Sequence, residues 1–116
     1  MSASKEEIEH FLHGQLDAWN KKDKTAFFAH YRAASPKGLT IEYVGRPLSD
    51  PWKILEDMWN NNNAVMTVEA IHTVINGDEA ACYHHNKTAA SNIKTIEIYA
   101  FKDGALDIRY FIDGQP

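Results

Sequence analysis

The stretch IKTIEIYAFKDGALDIRYFID, Ile93 to Asp113, decides how this chain is read. Its first nine residues are rich in β-branched and aromatic types and alternate along the chain, as a strand does. Lys102-Asp103-Gly104 is turn chemistry. Ala105 to Asp113 alternates again, with Asp107, Arg109, Phe111 and Asp113 on one side and Leu106, Ile108, Tyr110 and Ile112 on the other. Two such runs around a glycine-containing turn predict an antiparallel hairpin. Working backward, Ala64–Ile75 and Glu79–Thr88 form a second strand pair around Asn76-Gly77, a strong two-residue hairpin signal.

Upstream the period changes from two to 3.6. Ser4 is an N-cap with Glu6 and Glu7 behind it. Ile8, Phe11, Leu12, Leu16 and Trp19 then line one face of a helix to about Asn20. Asp23 caps a second helix carrying Phe27, Phe28 and Tyr31, which ends at Ser35-Pro36-Lys37-Gly38. Leu39–Gly45 alternates as a first strand, with Tyr43 on the side of Leu39 and Ile41. Asp50-Pro51 opens a third helix with Trp52, Leu55 and Trp59, which dies in Asn60–Asn63. Helices first and a long antiparallel meander after them predict an α+β fold: three N-terminal helices on a curved sheet.

The chain has 116 residues, so residues 1–116 are expected to form one domain. Apolar residues make up 44% and charged residues 24%, a globular balance. A net charge of −4 excludes the basic field that nucleic-acid binding needs. The polar, acidic start carries no secretory pattern, and no apolar run approaches the ~20 residues of a membrane span. The single Cys82 has no disulfide partner within the chain. Together these predict a cytoplasmic protein with no membrane or nucleic-acid partner.

Ala18-Trp19-Asn20-Lys21-Lys22-Asp23 at the first helix break, Leu39–Gly45 as the first strand and Phe101–Asp113 as the last hairpin resemble the SnoaL-like branch of the nuclear transport factor 2-like superfamily. This group also holds ketosteroid isomerases and polyketide cyclases. The resemblance covers nearly the whole chain. It implies a cone-shaped, cystatin-like fold with a pocket between sheet and helices, and a homodimer through the outer sheet face. Ile96, Ile98, Ile108, Tyr110 and Ile112 are the residues available for that contact. Against the ketosteroid-isomerase pattern, Glu97 falls where that family carries an oxyanion-side carboxylic acid. Tyr43 replaces the general-base aspartate, and Gln15 falls near the oxyanion tyrosine. Two of the three catalytic groups therefore differ. The same alignment turns His84, Asn86, Arg109, Phe111 and Asp113 inward.

Strand parity groups Ala80, Cys82, His84 and Asn86 on one face, and Thr95, Glu97, Tyr99 and Phe101 on one face of the next strand. Arg109 lies on the adjacent strand within plausible reach of Glu97, and if the two pair it holds Glu97 ionised. His84 then becomes the acid–base group near neutral pH. Without that pair, Glu97 is a protonated donor to an oxyanion. The expected catalytic set is His84, Glu97, Tyr43 and Asp113. Arg109, Trp19, Phe28, Trp59, Tyr99, Phe111 and Asn86 are the expected ligand contacts. Two functions fit. One is a cofactor-independent acid–base enzyme of isomerase, cyclase or dehydratase type, acting on a small hydrophobic carbonyl or hydroxyl compound. The other is a non-catalytic ligand-binding or dimerisation module. No metal centre is expected: His10 and His13 lie off the apolar stripe without a third ligand, and His84 and His85 point oppositely.

Overall fold

The computed structural model describes residues 3–114. Helix α1 spans Lys5–Asn20 and opens with the capping box that its sequence offers. The Ser4 hydroxyl accepts from the Glu7 N–H, and the Glu7 carboxylate accepts from the Ser4 N–H. Helix α2 spans Lys24–Ala34 behind an Asp23 cap, and α3 spans Pro51–Asn62 behind Asp50. The asparagine run ends α3 as its sequence suggests: Asn60–Asn62 form the last turn, and Asn63 is the C-cap. Strands β1 (Gly38–Tyr43), β2 (Thr67–Asn76), β3 (Glu79–Lys87), β4 (Asn92–Lys102) and β5 (Ala105–Ile112) form one sheet in the order β1-β5-β4-β3-β2. All neighbours are antiparallel except β1 with β5. This is the expected α+β architecture. No helix among the described residues is long and apolar enough to cross a membrane.

Core packing follows the apolar stripes. Ile8, Phe11 and Leu12 of α1 and Phe27 and Tyr31 of α2 meet Ile41, Tyr99, Leu106 and Ile108 of the sheet, all nearly solvent-free. Phe11 stands edge-on to Tyr31, Tyr99 and Phe101 at centroid distances of 5.0, 5.9 and 5.7 Å, the arrangement that ring quadrupoles favour.

Two features depart from the sequence reading. Strand β2 starts at Thr67, not Ala64, because the end of α1 holds the preceding segment. Trp19 Nε1 donates to the Met66 carbonyl at 3.0 Å, and Asn63 Nδ2 donates to the Trp19 carbonyl at 2.9 Å. The Asn20 amide then pairs with both backbone groups of Val68, at 2.8 and 2.9 Å, as a strand neighbour would.

The second departure corrects the inward placement of Arg109 and Phe111. Asp103 and Gly104 have φ of 52° and 81°, positive at both central positions as a type I′ turn requires. Lys102 therefore pairs with Ala105, and counting back along the ladder sets Glu97 opposite Tyr110 and Ile98 opposite Arg109. Paired residues share a face, so Leu106, Ile108 and Tyr110 turn inward. Ile108 and Tyr110 are thus core residues rather than outer-face ones.

The Asn20 clip makes a specific prediction. Asn20→Ala removes two hydrogen bonds at an exposed site and is expected to cost about 1 kcal/mol. This should appear as a lower urea midpoint at unchanged slope; Asn20→Asp, which can accept but not donate, should fall between.

Candidate active site

Sheet curvature leaves a cavity of about 420 Å³ between the inner face and the helices. Trp19 of α1, Phe27 and Tyr31 of α2, and Met58 of α3 supply the helical wall, with Met66 and Val68 beside them. Tyr43 and Tyr110 close the opposite side, stacked at 5.2 Å with their planes 26° apart. The polar groups come from β3 and β4, where antiparallel register places His84 opposite Thr95 and Cys82 opposite Glu97.

Glu97 is 6% exposed and His84 4%. A charge buried that deeply is tolerated only when it is paired and hydrogen-bonded. His84 Nδ1 lies 3.1 Å from Glu97 Oε2, and the Thr95 hydroxyl lies 3.0 Å from the same oxygen. The Tyr99 hydroxyl donates to Oε1. Asn86 Nδ2 donates to Thr95 Oγ1 at 3.0 Å and to the Ile93 carbonyl at 2.9 Å. Thr95 accepts from Asn86, so its own proton is free to donate to Glu97. With three donors aimed at it, the carboxyl group acts as an acceptor, which assigns the proton on Nδ1 to His84.

A second chain runs beside the first. The Tyr31 hydroxyl donates to Gln15 Oε1 at 3.3 Å, and Gln15 Nε2 donates to the Leu12 carbonyl at 3.4 Å.

The electrostatics follow from this packing. Burial alone would lower the His84 pKa. Hydrogen bonds to Cys82 and Glu97, together with the Glu97 charge, outweigh burial and raise it to about 10. That direction favours the imidazolium over the neutral ring. Tyr43 is pushed up to about 12 by burial and then by the Glu97 charge. Burial and the same charge also raise Tyr31, Tyr99 and Tyr110. All four phenols are therefore neutral across the physiological range and can donate.

The expected site residues separate into three groups. His84, Glu97, Tyr43, Trp19 and Asn86 border the cavity, and Asp113 stands at its exposed mouth, where its N–H donates to the Lys94 carbonyl at 3.0 Å. Tyr99, Phe28 and Trp59 do not border it. Tyr99 lies beneath as a donor to Glu97. Phe28 packs in the core at 5.6 Å from Phe27, and Trp59 stands behind Trp19 at 5.2 Å.

Arg109 and Phe111 lie on the outer face, so the Glu97–Arg109 pair does not form. Arg109 Nε instead donates to Glu42 Oε1 at 3.2 Å, in a half-exposed pair on the β1–β5 boundary. The sequence reading left Tyr31, Thr95 and Tyr110 out of the site. The parity that selects Glu97 also selects Thr95. The apolar alternation Leu106-Ile108-Tyr110 was a signal for the inner face.

Neither a protein-family model nor a curated protein matches the sequence. Solved structures do match. An NTF-2 like protein of unknown function from Burkholderia xenovorans LB400 superposes with a TM-score of 0.74 at 13% identity, covering 97% of this chain and 87% of that one. A candidate SnoaL-like polyketide cyclase from Jannaschia sp. CCS1 gives 0.72 at 14% identity, with 97% and 91% covered. A candidate ketosteroid isomerase from Kribbella flavida DSM 17836 gives 0.71 at 11% identity, with 96% and 81% covered. The chain has the nuclear transport factor 2-like fold that the sequence resemblance implied. At these identities the likeness reports architecture, not chemistry.

Two outcomes follow from the paired ring and carboxylate. Because the folded-state pKa of His84 lies above the ordinary 6.5, the pair contributes its full stability below about pH 6.5 and loses it as pH rises toward about 10. Denaturation midpoints of wild type should fall across that window, and those of Glu97→Gln should not. An NMR titration of the His84 ring should show its midpoint lowered by more than one unit in Glu97→Gln and unmoved in Arg109→Ala.

Proposed function

We propose that the cavity binds a small, mostly apolar molecule carrying a carbonyl or hydroxyl oxygen, and that His84 is the proton donor to that oxygen. The observation that carries this reading is the His84–Glu97 pair, nearly solvent-free yet bordering a cavity of about 420 Å³. That volume falls within the range of small-molecule pockets, and the few polar groups amid aromatic walls follow the usual design of such sites.

The roles divide by geometry. As negative charge builds on a ligand oxygen, the imidazolium donates to it and can pass its proton across. Glu97 is a positioning residue: it orients the ring and stabilises its charged form, as the carboxylate does in a His–Asp pair. It is not the free carboxylic acid of the alternative reading, because its oxygens already accept from His84, Thr95 and Tyr99. Tyr43 is a second neutral donor on the facing wall. Asp113, which borders the mouth with Asn92 and Lys94, is the carboxylate that takes up a proton in this reading. Every step uses the chain's own groups. An isomerase, cyclase or dehydratase reaction fits this set, in keeping with the names carried by two of the structural neighbours.

A second reading, compatible with the first, is a homodimer through the outer sheet face. Val74, Ile96 and Phe111 are 53%, 47% and 39% exposed there. Ile96 pairs with Phe111 across the ladder, and Ile98 pairs with both Ala81 and Arg109, so the apolar side chains are contiguous. Large contiguous apolar surface with a charged rim marks association sites. The buried thiol of Cys82 suits the reducing cytoplasm proposed for the protein.

Binding is tested with a panel of aromatic ketones and phenols, followed by the His84 ring signals. Ligands should shift those signals in wild type. His84→Gln and Tyr43→Phe should each weaken binding by about 1–3 kcal/mol, the worth of a buried hydrogen bond left unmade. A panel that moves no cavity resonance would end the proposal. For the dimer, light scattering should give twice the monomer mass for wild type and the monomer mass for Ile96→Glu.

A further inference from the structure

Hydrogen-bonding valence singles out one oxygen on the cavity wall. An asparagine amide brings two N–H donors and a carbonyl oxygen with two lone pairs. In Asn86 both donors are used: Nδ2 donates to the Ile93 carbonyl at 2.9 Å and to Thr95 Oγ1 at 3.0 Å. A backbone carbonyl can only accept, so the amide must turn its nitrogen, not its oxygen, toward β4. Oδ1 is thereby fixed on the other arm of the amide, and no donor among the described residues meets it. Every buried side-chain nitrogen and oxygen among the described residues has a partner, so this oxygen is accessible. Asn86 is half-buried, and the open space it borders is the His84 cavity.

The other polar groups on the inner face of β3 and β4 are differently placed. Glu97 accepts at both oxygens, from Tyr99 at one and from His84 and Thr95 at the other. Thr95 gives its proton to Glu97. Asn86 Oδ1 is thus the one side-chain carbonyl or carboxylate oxygen that these two strands hold on the inner face, among the described residues, without a donor. Asn86 and His84 share that face two residues apart on β3, a separation of about 7 Å along the strand.

We propose that Asn86 is a specificity-determining residue that reads a hydroxyl or N–H donor on the ligand, about 7 Å from the oxygen that meets His84. This rests on the binding reading given above and narrows it. The preferred class is a small carbonyl compound with a hydroxyl or amino group at its far end, not one whose far end is apolar. An apolar group placed there would strip water from Oδ1 and leave the acceptor unmet, which costs more than a met one returns. A site built around such a polar atom discriminates far better than an apolar wall does.

The test compares para-hydroxyacetophenone with para-methylacetophenone, in which a methyl group of similar size replaces the hydroxyl. Each is titrated into the full chain and followed by NMR. Wild type should bind the hydroxyl compound about tenfold tighter or more. Asn86→Leu should abolish that preference. Thr95→Val should weaken both probes alike and keep the ratio, because Nδ2 still holds the Ile93 carbonyl. If Asn86 acted only by positioning Thr95 and Glu97, both variants would weaken the two probes equally and neither would change the ratio. The His84 ring titration in each variant reports whether the His84–Glu97 pair persists. The proposal is overturned if wild type binds the two probes equally while other ketones move the His84 signals, if Asn86→Leu keeps the wild-type ratio, or if Thr95→Val abolishes it. Silence from every ketone removes the binding reading and this assignment together. The wild-type ratio needs no variant, so it decides the matter even where Asn86→Leu fails to fold.

Discussion

A carboxylate inside an aromatic cone must be met by donors, and the interior of this protein is arranged around meeting that need for Glu97. An unpaired charge at that depth would cost several kcal/mol. The sheet supplies Thr95 and Tyr99 from the carboxylate's own strand and His84 from the next. Asn86 holds Thr95 in the donating sense, and the imidazole contributes a compensating positive charge. Each of these groups is on the inner face because the β3–β4 register sets it there. A shift of one residue would turn the whole set outward.

The chemistry of the cavity follows from the same constraint. One negative charge, unscreened by water, is felt by every titratable group near it. It raises His84 and opposes ionisation of Tyr31, Tyr43, Tyr99 and Tyr110. The cavity surface is therefore rich in donors although the Glu97 carboxylate itself is an acceptor. The aromatic walls perform two tasks: they provide apolar contact and keep the local dielectric low. In the proposed function, proton chemistry runs through the imidazole, and the carboxylate acts through it.

Much of the fold was legible in the amino-acid order. Ser4 and Glu7 announce the capping box, Asp23 and Asp50 the next two helix starts, and Asn76-Gly77 and Asp103-Gly104 the two hairpins. These are local effects in which a side chain satisfies backbone groups a few residues away. The β4–β5 register was also within reach, since Asp103-Gly104 suits a two-residue type I′ loop and such a loop pairs Lys102 with Ala105. Reading Arg109 inward as a partner for Glu97 set charge pairing above apolar alternation. The structure keeps the alternation: Leu106, Ile108 and Tyr110 fill the core, and Arg109 meets Glu42 nearer to water. Burying three large apolar side chains outweighs the small net gain of an ion pair.

By itself the sequence determined the element order, the caps and turns, the α+β class and the parity that puts His84, Thr95 and Glu97 on inner faces. Tertiary structure alone decided which groups touch Glu97, how strongly its charge acts on the ring and the phenols, and which way the Asn86 amide turns. Period and capping are properties of neighbouring residues along the chain. Protonation and ligand geometry depend on distances of a few ångströms between residues far apart in sequence, and those distances exist only once helix and sheet have packed.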